Sequence, residues 1–237
     1  MNIFAPGLTL MELTIKILAA LTVVFLILPL HEFAHGFVAS KLGDNTAKAL
    51  GRLTLNPLVH FDAFGAIGVL LFNFGWAKPV PVDASNFKNP KRDMAIVAAA
   101  GPISNFCAAI IGGLIMNFLA LFNFVPLQIW VNTFFMYYIY LNVGIAVFNL
   151  IPLPPLDGFR ILEAFLPERF LTSYYKHYFA IRLLVFFLLF FGFLSVPLIF
   201  LENRICGFVI KITAFPFLLF AWVLNKIMIK TYNYYVI

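Results

Sequence analysis

Between Met94 and Leu156 the chain runs for sixty-three residues without an Asp, Glu, Lys, Arg or His. A water-facing surface needs charges at intervals, and this stretch supplies none. A bilayer span takes about 20 mostly apolar residues, so there is room for two. Asn123 to Gln128, with Pro126, marks the turn between them, and the spans are placed near 94–122 and 129–151. The whole chain agrees: of 237 residues 63% are hydrophobic and 11% charged, against about 25% charged in soluble domains. An ordinary soluble globule, a disordered chain and a disulfide scaffold are excluded. The net charge of +6 reports membrane orientation before it reports nucleic acid, and no nucleic-acid partner is expected. Cys107 and Cys206 form no CxxC pair and read as buried, inert thiols.

Three further spans are expected. The first lies between Lys16 and Lys41 and lacks the basic leader and small-residue cleavage site of a signal peptide. The others run over Leu183–Leu201 and from about Ile205 to Asn225, where Lys211 snorkels to the nearer interface. Ala63–Ala77 is apolar but has only fifteen residues, with glycines at 65, 68 and 75, and reads as a re-entrant or interfacial segment. Gly75–Val82 alternates apolar residues with proline and reads as an extended, β-like loop. The fold class is therefore an all-α polytopic membrane protein of about five transmembrane helices. Residues 1–237 form one integral-membrane domain, with a core over about 15–165 and a C-terminal helical pair over about 183–225.

Thirteen of the sixteen Lys and Arg fall in 41–93, 152–182 and the tail at 226–230. The positive-inside rule puts these in the cytoplasm, the N-terminus outside and the C-terminus inside. A multi-pass protein of the inner or plasma membrane is expected, with the lipid bilayer as its surroundings.

The first span carries His31-Glu32-Phe33-Ala34-His35, an HExxH pattern. On a helix, residues i and i+4 share a face, so both imidazoles reach one metal. Glu32 stands beside that face as a general base toward attacking water. His31 lies about 15 Å along a helix from Lys41, within the hydrocarbon layer and toward the cytoplasm. Three ionisable groups in one turn there cost several kcal/mol unless a cation neutralises them. One Zn²⁺ per chain fits.

Catalytic zinc usually takes three protein ligands, and no third histidine follows His35 at metzincin spacing. His60, His177, Asp44, Asp83, Asp93, Glu163 and Glu168 sit among cytoplasmic polar residues. Asp157 differs, following the proline-broken Asn149-Leu-Ile-Pro-Leu-Pro-Pro-Leu156 directly after a span. Irregular backbone at membrane depth has to be buried in protein or line a cavity. Composition alone leaves Asp157 open between metal ligand and helix N-cap.

At these residues the chain resembles the site-2 protease family of intramembrane zinc metalloproteases. The matching elements are His31-Glu32-x-x-His35, Gly101-Pro102-x-x-Asn105 and Asn149-x-x-Pro152-x-x-x-Leu156-Asp157-Gly158. Gly51-Arg-Leu-Thr-Leu-Asn-Pro57, His60-x-Asp62 and Gly75-Trp-Ala-Lys-Pro-Val-Pro81 resemble a compact subgroup without PDZ or CBS domains. The likeness covers about residues 15–165. It implies that Asp157 is the third zinc ligand and that Glu32 activates water. It implies that Asn149 and Asn105 face substrate or oxyanion, whereas an Asn in a span is otherwise interhelical glue. It implies a substrate loop at Gly75, Trp76, Pro79 and Pro81, open to strand pairing or else a plain interfacial connector. The expected activity is hydrolysis of a peptide bond in or near the transmembrane helix of a membrane protein substrate, toward its cytoplasmic end.

The alternatives are an ion or zinc transporter, which needs ionisable groups on several spans, and a non-catalytic membrane binding protein. A gluzincin-type enzyme would draw a ligand from Glu163 or Glu168. His60 and Asp62 have no assigned role.

Overall fold

The structure is a computed structural model that describes residues 7–72, 77–122, 125–193 and 195–235. The chain begins with α1 (Leu10–Thr22), a π-turn (Val23–Ile27) and α2 (Leu28–Leu42), one unbroken helical rod over Leu10–Leu42. Thr9 and Glu12 open α1 with a reciprocal capping box. Gly43 closes α2 at φ +116°, a backbone state that glycine adopts without strain. Lys16 was expected at the outer edge of this span. It is instead buried inside α1, its Nζ 5.9 Å from the centre of the Tyr137 ring, because α1 starts almost two turns earlier.

Short helices α3 (Thr46–Ala49), α4 (Pro57–His60) and α5 (Ala63–Phe72) follow. The ten residues of α5 reach about 15 Å, half a hydrocarbon layer, so the element is too short to cross. Residues 77–83 are extended without a strand partner, and no strand occurs among the described residues. Two prolines in that loop remove the donors a sheet would use. Over these described residues the expected β-like loop is extended backbone without strand pairing.

The long helices α6 (Pro90–Ala120) and α7 (Val125–Asn149) pack antiparallel. Pro90 opens α6 at a position whose N–H needs no partner. Gly112 lets α7 approach, since a Cβ there would lie 2.7 Å from the Tyr138 ring. The shorter helices α8 (Asp157–Glu163), α9 (Glu168–Lys176) and α10 (Tyr178–Phe190) precede the last helix, α11 (Ser195–Tyr235).

The span expected over Leu183–Leu201 is not one helix. Gly192, at φ +75°, ends α10 and the chain turns before α11 begins. Hydropathy registers the apolar run but not the break. Among the described residues four helices are long and apolar enough to cross a membrane: Leu10–Leu42, Pro90–Ala120, Gln128–Asn149 and Val196–Val223. The C-terminal pair is a short helix followed by one long one. Glu202 of α11 meets Gly144 of α7, and Thr213 meets Gly113 of α6. These contacts make α11 parallel to α6 and antiparallel to α7. The core between α1, α6, α7 and α11 is aliphatic and aromatic, with Ala109, Tyr137, Ile139 and Val143 fully enclosed. Cys206 is buried there, while Cys107 is exposed on α6, contrary to the reading of both thiols as buried.

Candidate metal centre

The π-turn before Leu28 has a local cause. Pro29 has no N–H and would crowd the carbonyl one turn back, and the ladder shifts so that the Leu28 N–H donates to Val23 O. Four residues further on, α2 presents His31 and His35 on one face, buried against α6. The α6 residue facing them is Gly101. A Cβ there would lie 2.4 Å from His35 Nε2 and 2.5 Å from His31 Nε2, so the missing side chain is what leaves room for both rings.

The third member arrives from the other direction. After α7 the prolines turn the chain sharply, and Asp157 becomes the first residue of α8. It makes no capping bond. Gly158 seats α8 on the carbonyls of Leu150 and Ile151, which leaves Asp157 facing the histidines. Asp157 Oδ2 lies 3.3 Å from His31 Nε2 and 3.4 Å from His35 Nε2, and the two Nε2 atoms are 3.1 Å apart.

That triangle fits a metal. Tetrahedral zinc with ligand bonds of about 2.0–2.1 Å holds its ligand atoms ~3.3 Å from one another. The His₂Asp donor set suits the same ion. Asp157 Oδ2 is buried and has no hydrogen bond, an orphaned lone pair that a cation would take up.

Behind the triangle each imidazole is fixed from its far side. Asn105 Oδ1 sits 2.6 Å from His31 Nδ1, and Val97 O sits 2.8 Å from His35 Nδ1. Each accepts the Nδ1 proton in the tautomer that frees Nε2 for a metal. Asn105 is fully buried, and its amide donates at 3.4 Å to Asn142 Oδ1, itself fully buried on α7.

Residues 125–192 match the profile of Peptidase family M50. A candidate zinc metalloprotease of Bacillus subtilis, YwhC, is 45% identical over 141 residues, which are 58% of this chain and 64% of YwhC. The Rip2 protein of Mycolicibacterium smegmatis, also named as a candidate zinc metalloprotease, is 34% identical over 145 residues, 59% of this chain and 54% of Rip2. The chain is therefore similar to Peptidase family M50 over that segment and to these two relatives over somewhat more than half of its length. It spans between half and two thirds of the length of the relatives it matches. No solved structure matches it.

Glu32 reaches the extended loop, where its Oε2 accepts the Val80 N–H at 2.8 Å. Pro79 and Pro81 flank that contact. Gly75 and Trp76, the other two residues of the expected substrate loop, lie outside the described residues, as does Asn123. Asn149, the last residue of α7, turns its amide back to Ile145 O at 3.0 Å. The structure therefore gathers His31, His35, Asp157 and Asn105 into one cluster, sets Glu32 beside it against Val80, and leaves the Asn149 amide on its own helix.

The remaining candidates serve elsewhere. Asp44 is buried and ties together Thr46, Asp83 and Asn86. Asp93 accepts the Asn89 N–H at the start of α6, Glu163 pairs with Arg160 and Glu168 with Lys91. His177 is exposed. Asp62 caps the start of α5 through the Gly65 N–H. Two members of the cluster were missed from sequence. Asn142 looks like any other span asparagine, and Val97 acts through its carbonyl, which no side chain announces.

Proposed function

We propose that this chain is a zinc-dependent intramembrane endopeptidase of the site-2 type, cutting a membrane protein substrate in or near its transmembrane helix. The observation that carries this reading is the tetrahedrally spaced triangle of His31, His35 and Asp157, its two histidines set in a helix long and apolar enough to span a bilayer. One Zn²⁺ would be held by His31 Nε2, His35 Nε2 and Asp157 Oδ2. When bound it supplies a Lewis acid for the scissile carbonyl and lowers the pKa of the attacking water. Glu32 takes the proton from that water and returns it to the leaving nitrogen. Asn105 keeps His31 in the ligating tautomer, and Asn149 is a donor that would face the oxyanion after giving up its bond to Ile145. The substrate helix has to unwind locally, because its carbonyls are hydrogen-bonded along their own helix.

A fluorogenic or epitope-tagged transmembrane substrate, incubated with the chain in liposomes, tests this. Glu32→Gln should lower the rate by about 10²–10⁴-fold while zinc content stays at one per chain. Undiminished cleavage by the folded Glu32→Gln chain would overturn the assignment. Zinc uptake into sealed liposomes by the wild-type chain would favour transport instead.

The end of the bundle that carries the site is assigned to the cytoplasm. Eleven of the sixteen Lys and Arg lie in its connecting segments, 41–93 and 152–182. With five crossings the C-terminus is cytoplasmic. Four crossings, with α11 parallel to α6, return it to the outer side together with Lys226 and Lys230. A reporter active only outside the cytoplasm, joined behind α11, should be active; an inactive one would restore the fifth crossing.

A further inference from the structure

Three sequence stretches have no part in the mechanism above: Gly51–Pro57, His60-x-Asp62 and the proline-flanked loop around Val80. In space they form one brace. Arg52 starts from a backbone anchored to α3, its N–H donating to Ala47 O at 2.8 Å. Its Nη2 donates to Lys78 O at 2.9 Å and to Pro79 O at 3.1 Å. On the neighbouring segment His60 is almost wholly buried, with Nε2 2.8 Å from Thr54 O. The His60 carbonyl receives the Lys78 N–H at 2.7 Å. The loop is thus held through both its carbonyls and its amide just before Val80, the residue whose N–H meets Glu32.

The side chains agree with the backbone. Gly36 lies one turn beyond Glu32 on the same face of α2. A Cβ there would sit 3.1 Å from Val80 Cγ1 and 3.2 Å from Leu53 Cδ1. The glycine leaves a slot into which Val80 of the loop and Leu53, next to Arg52, both pack. Val80 is buried in that slot. Pro79 and Pro81 have no N–H, so between Lys78 and Val82 the only backbone donor is Val80, and it is committed to Glu32.

Building on the reading of Glu32 as the base, we infer that Arg52 is a positioning residue for it: by clamping the Lys78 and Pro79 carbonyls, Arg52 holds the Val80 amide against Glu32 Oε2 and so fixes where the carboxylate points. A carboxylate on a three-torsion side chain is otherwise free to rotate, and a misplaced base loses rate without losing substrate. The brace also closes the Val80 edge to strand pairing, so a substrate strand at that edge has to displace Glu32 first.

The first test is independent of any substrate. Hydrogen–deuterium exchange of the full chain in detergent or nanodiscs is followed on the peptide over residues 77–83, in which Pro79 and Pro81 carry no amide. The Val80 amide should exchange slowly in the wild type, and at least ten times faster in both Arg52→Ala and Glu32→Ala. Unchanged exchange in Arg52→Ala would overturn the inference. The second test is kinetic. Arg52→Ala should lower kcat by about 10- to 100-fold, with KM and zinc content unchanged. Val80→Pro, which deletes the donor itself, should match it, and the double variant should be no worse than either single one. A raised KM at unchanged kcat would make Arg52 part of a substrate cleft and overturn the assignment. A wild type whose cleavage ignores Glu32→Gln counts against the proposed function and leaves the exchange result to decide the brace.

Discussion

Gly101→Ala should purify without zinc and without activity. The substitution adds one methyl group, and in the middle of a helix it would ordinarily stabilise by about 1 kcal/mol. Here the new Cβ would stand 2.4–2.6 Å from His35 Nε2, His31 Nε2 and His31 Cε1. Real Cβ atoms do not approach that closely, so the rings have to rotate or α6 has to retreat from α2. Neither is cheap. His31 is tied to Asn105 and His35 to Val97, both on α6 itself, so any retreat of α6 drags the two imidazoles' rear partners with it. The ligand triangle, with sides of 3.1–3.4 Å, loses the spacing that suits a tetrahedral ion. Zinc per chain, measured by atomic emission on protein in detergent, should fall from one to near zero while the helical circular dichroism persists. Full zinc occupancy in the variant would mean that the rings sit elsewhere than described.

Gly158→Ala should be nearly as damaging, for a different reason. Its Cβ would lie 2.2 Å from Leu150 O and 2.6 Å from Ile151 O. Those atoms are backbone and cannot swing aside as a side chain does. The first turn of α8 would have to lift from the end of α7, and Asp157 would lift with it. Removing one ligand of three from register should weaken zinc binding by at least about 100-fold, the upper end of what outer supports contribute. Gly207→Ala on α11 is the matched control, because nothing lies within 4 Å of a Cβ there. It should bind zinc as the wild type does. Competition with a zinc chelator would rank the three chains, and equal ranking of Gly158→Ala and Gly207→Ala would sink the prediction.

Much of this arrangement can be read from residue types, and the parts that cannot share a physical reason. His31, Glu32 and His35 stand out because ionisable groups in an apolar helix are costly and the helical repeat puts i and i+4 together. The helices α6 and α7 are legible because sixty-three residues without a charge can hardly be anything else. Asp157 is recognisable only with help, since a carboxylate after a run of prolines equally suits a helix cap. Val97, by contrast, contributes a carbonyl, and every residue has one. The Val80 contact to Glu32 is likewise a backbone donor, visible in sequence only as the gap between two prolines. The break at Gly192 escapes a hydropathy reading, because a turn inside an apolar run leaves the average unchanged. The expected fifth span rests on reading through that one residue.

The π-turn at Val23–Ile27 means that the orientation of the site is stored in the width of a single helical turn. Each residue of an α-helix advances its face by about 100°. The wide turn takes up one more residue than an α-turn, so the face beyond it is about one residue's rotation away from where a regular helix of the same length would put it. The half that packs on α7 and the half that carries the two histidines belong to the same rod, yet they answer to different faces. A chain shortened by one residue there would regain an ideal helix with its imidazoles still facing α6, whereas a regular α-helix through all the present residues would turn them about a quarter-turn away. What this stretch cannot lose is the wide turn at constant length, and Pro29, which cannot donate into the ordinary ladder, keeps it in place.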